Sequence, residues 1–370
     1  CVDVWFSRNC KGCTNCFGCA NLRNTTNCIF NVQYSKKEYL KKLREFNLSS
    51  RKSIQELEIK AHKFWLEKPY RENSGHSFNI NTTGEHVYYS KNSKEMYLVS
   101  GAENCKWCQF ITVPPVKDSM DYSGWGNNAS QMYESNTIGE NCDSCFFSLV
   151  SFPDCINLEY CFQNVSGKNN FGCFNLKRKG YCILNKQYSK DEYKKLREKI
   201  VKDMKQNPYK DKQERIFAYG EFFPLEFSGF AYNKSNAMLF FPKTKEQALA
   251  DGYSWEEYEN PTHPATLKAS AIPDTLNDTN ESILDEVLEC ANCGRGYKIV
   301  KGEFDLLRKM NLPVPHECPK CRENKRFARM TKPKMYHRNC MKCNAPIYTP
   351  YAKEEPKIVY CVKCYQQEFM

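Results

Sequence analysis

Two hydrophobic patterns alternate along the chain. Between residues 73 and 185, short runs rich in aromatic, β-branched or Cys residues recur at 86–89, 95–99, 108–111, 145–150, 158–162 and 181–184, punctuated by Asn, Ser, Gly and Asp. Runs of this length and type predict short strands separated by polar turns. Grouped into larger units of about 20–25 residues, they predict a β-solenoid, in which Cys, Val, Phe and Tyr line a narrow interior and Asn ladders occupy the corners. A single rung cannot bury its own face, so stacking supplies the core. A small β-sandwich is the alternative.

The second pattern is helical. Ser35 with Glu38 and Ser189 with Glu192 form capping boxes, and Tyr34 with Tyr39 and Tyr188 with Tyr193 sit at the flanking staple positions. Lys-, Glu- and Leu-rich helices are predicted over 36–46 and 190–205. A further helix over 51–67 carries Ile54, Leu57, Ala61, Phe64 and Leu66 near helical spacing and pairs with the first as a hairpin. Their Lys and Glu form a solvated face.

The two patterns are joined in an internal repeat. Residues 15–39 align without gaps to 169–193 with 15 identities in 25 positions. The alignment also bears on the cysteines. Cys10, Cys13, Cys16 and Cys19 recur every third residue and have some likeness to a ferredoxin loop, but the fourth gap is wrong for one, no Pro follows, and Cys16 aligns with Asn170. A cluster ligand does not exchange with Asn, so these cysteines read as buried free thiols, small and apolar. Cys105/Cys108 and Cys142/Cys145 are further C-x-x-C pairs. They are read as ladder residues, with a shared metal site or a redox pair as alternatives.

Residues 209–261 are aromatic, with Phe222, Phe223, Phe227, Phe230, Phe240 and Phe241 expected to pack on the last rungs, and one short helix over 244–252. Residues 262–289 read as a linker, with Pro264, Pro273 and several Asp, Asn and Thr, and a helical turn or two near its end. The expected division is therefore 1–34, the end of a first repeat segment; 35–72, the helical hairpin; 73–188, a second β-solenoid-like segment; 189–261, a helix and aromatic packing segment; and the linker. Two small modules follow at 290–331 and 332–370.

These modules carry the most legible chemistry. Cys290/Cys293, Cys318/Cys321, Cys340/Cys343 and Cys361/Cys364 are four C-x-x-C pairs. Each pair puts two sulfurs on one side of a tight knuckle, and two facing knuckles make a tetrahedron suited to zinc, with bonds of about 2.3 Å. Proximity divides the eight thiolates into two sites, each full. This favours structural zinc over disulfides, an iron–sulfur centre or a catalytic metal. A module of about 40 residues has too little apolar surface to fold alone, and structural zinc contributes about 10–16 kcal/mol of apparent binding free energy. Short β-type runs at 297–300 and 358–360 and a helix over 303–310, stopped by Pro313 and Pro315, complete the modules.

On these residues the segment from Leu288 to Arg326 resembles the probable zinc-ribbon, treble-clef type of many bacterial proteins, and the segment from Asn339 to Phe369 resembles its usual C-terminal companion. The order of elements is similar to that of an uncharacterised family of cysteine-rich repeat proteins from uncultured bacteria. The resemblance implies two zinc sites and a multidomain, β-rich architecture: β-solenoid-like Cys/Asn/aromatic repeats, interrupted by helices and followed by two zinc-ribbon or treble-clef modules. It implies no reaction. Members usually carry further repeats and another zinc module upstream. Because this chain starts at Cys1 in mid-pattern, an incomplete N-terminus is expected.

Charge adds a second possible role for the tail. The formal net charge is +11, and residues 290–370 hold 17 Lys and Arg against 7 Asp and Glu. Two four-thiolate zinc sites, each of net charge about −2, lower that local surplus of ten to about six. Arg322, Lys325, Arg326, Arg329, Lys332, Lys334 and Arg338 lie between the sites, and a helix starting after Cys321 places Arg322, Arg326 and Arg329 on one side. This is a candidate phosphate-contacting strip; a solvated helix is the alternative. Two functions follow: a non-enzymatic zinc-binding scaffold whose tail contacts nucleic acid or a ribonucleoprotein, or a structural or protein-interaction solenoid that the zinc modules only stabilise. No nucleotide-binding, zinc-protease or hydrolase motif is present, so an enzyme is not expected. No apolar run is long enough to cross a membrane. The 22 cysteines, eight in metal-type knuckles, fit reduced thiols in a cytoplasm.

Overall fold

The computed structural model describes residues 1–75, 78–257 and 263–369. The expected boundary between the aromatic segment and the linker, at 261/262, lies outside them.

The β-rich part is built on a period of three. From Gly84 to Ile111 every third residue is buried: Gly84, Val87, Ser90, Ser93, Met96, Val99, Ala102, Cys105, Cys108 and Ile111. Before nearly every inward residue the backbone is left-handed, as at His86, Tyr89, Asn92, Glu95, Leu98, Asn104, Trp107 and Phe110. Left-handed conformations are uncommon outside glycine, and Asn tolerates them best. That is the backbone reason for the many Asn in this chain. The Asn side chains also bond from one strand level to the next, with Asn81, Asn92, Asn104 and Asp118 linked at 3.2, 3.4 and 2.9 Å.

The strands stack in parallel and in register. Ile156–Glu159 pairs with Lys168–Phe171, which pairs with Gly180–Ile183, each at an offset of 12 residues. Offsets of 13 and 14 occur between Met120–Gly126 and its neighbours. The repeat is thus 12–14 residues long, shorter than the expected 20–25. Three of the longer strands in this segment were also missed from sequence, Met120–Gly126, Tyr133–Gly139 and Lys168–Phe171, because only one residue in three faces inward and the apolar run is diluted. The parallel pairing excludes an antiparallel sandwich.

The inward cysteines behave as serines do. Cys161 Sγ donates to Glu159 O at 3.4 Å, and Ser148 Oγ donates to Phe146 O at 2.8 Å, in each case two residues back. Ser148 Oγ accepts the Cys161 amide at 3.0 Å, as Cys142 Sγ accepts that of Cys155 at 3.3 Å. Many inward positions hold small side chains, and those with a donor satisfy carbonyls that water cannot reach; others hold larger ones, Met96, Tyr122 and Leu158 among them. Cys105, Cys108, Cys142 and Cys145 all lie in this core.

The internal repeat is structural as well. Strands Val2–Trp5, Thr14–Phe17 and Thr26–Ile29 recur as Ile156–Glu159, Lys168–Phe171 and Gly180–Ile183. In both copies a short antiparallel strand then leads to a helix, α1 (Lys36–Glu45) after the first copy. The helix α2 (Arg51–Leu66) follows α1, and α3 (Lys190–Gln206) follows the second copy. Both expected capping boxes form. Each staple tyrosine pair joins the apolar cluster under its helix. Further on come α4 (Ala237–Phe240) and α5 (Lys245–Ala250), the latter opened by a Thr244 capping box.

The stretch expected as a linker is part of the fold. Ile272 and Ile283 are buried in one core with Leu288, Tyr297, Ile299, Phe304 and Val314. It also docks on α2: Arg51 N donates to Asp274 O at 2.9 Å, and Leu276 N donates to Ser49 O at 3.0 Å. Its Pro and polar residues had hidden the sparse apolar anchors.

Two candidate metal centres

Each centre combines a hairpin knuckle with a helix start. In the first, the hairpin of Leu288–Glu289 and Gly296–Tyr297 turns through Cys290 and Cys293. In the second, the hairpin of Tyr336–Asn339 and Pro346–Thr349 turns through Cys340 and Cys343. The two turns close alike, with Gly294 N donating to Cys290 O and Asn344 N donating to Cys340 O, both at 2.9 Å. Gly294 and Asn344 are both left-handed, at φ 72° and 60°. The opposing pairs come from helices. After α6 (Lys301–Met310), Cys318 caps α7 (Pro319–Phe327) and Cys321 lies in its first turn. Cys361 directly precedes α8 (Val362–Phe369), whose first turn holds Cys364. Helix starts favour anionic sulfur.

The geometry fits a tetrahedral ion. In each group the four sulfurs lie within 4.8 Å of one another. Cys293 Sγ and Cys318 Sγ are 3.8 Å apart, as are Cys343 Sγ and Cys361 Sγ. A tetrahedron with metal–sulfur bonds of about 2.3 Å has edges of about 3.8 Å. Cys290 Sγ accepts the Cys318 amide and Cys340 Sγ accepts the Cys361 amide, both at 3.2 Å. Burial pushes the Cys290 and Cys340 thiols up, but backbone donors outweigh it and bring each down to about 6. Burial, assisted by neighbouring thiols, pushes Cys321 up to about 12; the bond with Cys343, followed by burial, does the same for Cys364. A cation at the centre of each group relieves that crowding. Asn292, which sequence reading missed, donates to Cys321 Sγ at 3.3 Å; its place inside the first knuckle was the available signal. The eight cysteines named from spacing are those brought together. Among the described residues no third group of this kind forms, so Cys105, Cys108, Cys142 and Cys145 share no such centre.

The second centre is tied to the first repeat segment. Val359–Tyr360, expected inside the second module, pairs in parallel with Tyr70–Arg71. Tyr70 lies in one core with Cys340, Ile347, Tyr351, Val359 and Cys364. The Arg8 guanidinium stacks 3.6 Å above the Tyr70 ring, and Asn9 donates to Tyr365 Oη at 2.6 Å.

The basic strip is dispersed. The helix begins at Pro319, before Cys321, and ends at Phe327, so Arg329 lies beyond it. Arg322 pairs with Glu303 at 2.9 Å, Lys325 pairs with Glu317, and Arg329 pairs with Glu58 of α2. Arg338 is buried and donates to the carbonyls of Tyr351, Ala352 and Lys357. Arg326, Lys332 and Lys334 are exposed, and Lys334 Nζ lies 5.2 Å from the Tyr336 ring centroid.

No family model, curated protein or solved structure matches the chain.

Proposed function

We propose that the protein is a non-enzymatic scaffold, a β-solenoid of 12–14-residue rungs braced by two structural zinc ions in treble-clef-like modules. The observation that carries this reading is the seating of the second cysteine module on the first repeat segment: Arg8 stacks on Tyr70, whose strand pairs with Val359–Tyr360, and Asn9 donates to Tyr365. Four thiolates fill each tetrahedron and leave no position for a substrate. Inward thiols that act as hydrogen-bonding core residues support reduced cysteines and a cytoplasmic setting. The modules then stabilise the fold, and the repeat faces are the surface offered to protein partners.

The reading in which the tail contacts nucleic acid is the weaker one, because three of its seven cations are in ion pairs and a fourth is buried. What favours it is the exposed trio Arg326, Lys332 and Lys334.

Metal analysis of protein purified without added zinc tests the scaffold reading: two zinc per chain are expected, and iron or a single metal would overturn it. Generic RNA or DNA binding that weakens steeply with salt and is lost on changing Arg326, Lys332 and Lys334 to Glu would favour the tail reading instead.

A further inference from the structure

The two copies of the internal repeat differ at one place in a way that packing does not explain. In the first copy Trp5 and Leu43 join the apolar cluster around Phe17 and Tyr39. At the equivalent positions, 154 residues later, the second copy has Glu159 and Arg197. Arg197 Nε and Nη2 donate to the two Glu159 oxygens at 2.6 and 2.9 Å, and Tyr219 Oη donates to the same carboxylate at 2.8 Å. The Glu159 side chain is only 10% exposed. Desolvating an ion pair seldom stabilises a fold better than an apolar pair of similar volume, and the first copy shows that an apolar solution exists in this architecture.

Beside this pair, between α3 and the strand face, lies a cavity of about 440 Å³, within the range of small-molecule sites. Lys190 and Lys194, one turn apart on α3, line it and have no ion pair among the described residues. Lys194 stands where the first copy has Leu40. With Glu159 already neutralised by Arg197, the two lysines leave the cavity electropositive. Its opposite wall carries Ser144, Asn157 and Asn169 from three successive strand levels. Asn157 donates to Asn169 Oδ1 at 3.1 Å, which leaves the Asn169 amide donors without a partner among the described residues. Tyr181 and Tyr193 add aromatic surface, and Tyr181 replaces Asn27 of the first copy.

We propose that this cavity binds a small phosphorylated sugar. Lys190 and Lys194 hold the phosphate as point charges, the amide and hydroxyl row meets the sugar hydroxyls, and the tyrosines cover the ring's apolar face. The Glu159–Arg197–Tyr219 group fixes the floor. The site goes beyond the scaffold reading, since no metal takes part in it.

Calorimetric titration of the full chain tests this with glucose 6-phosphate, inorganic phosphate and glucose as probes. Glucose 6-phosphate is expected to bind one to one, phosphate about tenfold more weakly, and glucose with no measurable heat. Lys194→Leu, which restores the first copy's residue, and Lys190→Met are each expected to weaken binding about tenfold, with zinc content and melting temperature unchanged. Absence of glucose 6-phosphate binding at millimolar concentration, equal binding by phosphate alone, or full affinity in both variants would overturn the proposal. The zinc content of the same samples reports separately on the scaffold reading.

Discussion

Cys340→Ser isolates the second metal centre and asks what it holds together. Cys340 Sγ is one of four convergent sulfurs and the acceptor of the Cys361 amide. Structural zinc supplies about 10–16 kcal/mol of apparent binding free energy, comparable to the whole stability of a typical domain, about 5–15 kcal/mol. A module of this size cannot offset such a loss from its own small core. The strand Val359–Tyr360 should therefore detach from Tyr70–Arg71. Two hydrogen bonds report on it directly: Tyr70 N to Ile358 O at 2.6 Å and Glu72 N to Tyr360 O at 2.8 Å. In hydrogen exchange, both amides should be protected in the parent and exchange near the unfolded rate in the variant. The metal content should fall from two zinc to one. The amide of Gly172, bonded to Glu159 O at 2.8 Å deep in the strand stack, should keep its protection. If Tyr70 and Glu72 stay protected in a variant that holds a single metal, the module is not a brace and the reasoning fails.

Other substitutions probe the stack. Cys161→Ser should cost no more than about 1 kcal/mol, because Ser148 already makes the equivalent bonds one strand level earlier; a much larger drop in chemical-denaturation stability would show a thiol-specific role. Gly84→Ala should lose on the order of 1–3 kcal/mol, since φ is 139° there and an added Cβ would collide with the Met96 backbone; an unchanged denaturation midpoint would contradict the register. Glu85 has its carboxyl pushed up by burial, against donation from Ser74 N. A raised carboxyl favours folding most below its unfolded value and loses that contribution as pH rises through the folded one. Glu85→Gln should accordingly melt no lower than the parent at neutral pH and show a flatter stability profile from there down to mildly acidic pH. A clear loss of stability at neutral pH would mean that the carboxylate charge is needed.

The metal ligands were legible because C-x-x-C spacing is local, and a knuckle needs only a few residues to declare itself. The capped helices were legible for the same reason. The strand stack was only half legible. Cys10, Cys13, Cys16 and Cys19 displayed the period of three openly, and the alignment of Cys16 with Asn170 led to small buried residues, which is how Cys13, Cys16 and Cys19 lie. That period was not extended through Ser90, Ser93 and Met96, because Ser and Met do not share a hydropathy class. What they share is a place in a narrow interior. The basic strip failed differently: the partners of Arg322, Lys325 and Arg329 are Glu303, Glu317 and Glu58, and the last is distant in sequence. Spacing along a helix says which cations lie together and nothing about which acids reach them.

With inward positions recurring at about every third residue, most of the others face outward or sit at corners, and the interior accepts side chains from Ala, Ser and Cys to Met and Tyr. Where the offset is twelve, as from Ile156 to Lys168 to Gly180, removing or adding twelve residues changes the stack by one level and leaves every remaining side chain facing as before, whereas a change of one or two turns the inside out until a compensating slip restores the phase, as happens between Ile111 and Val116. Length is therefore a freely adjustable property of this architecture, and the surface of each added level is open to divergence.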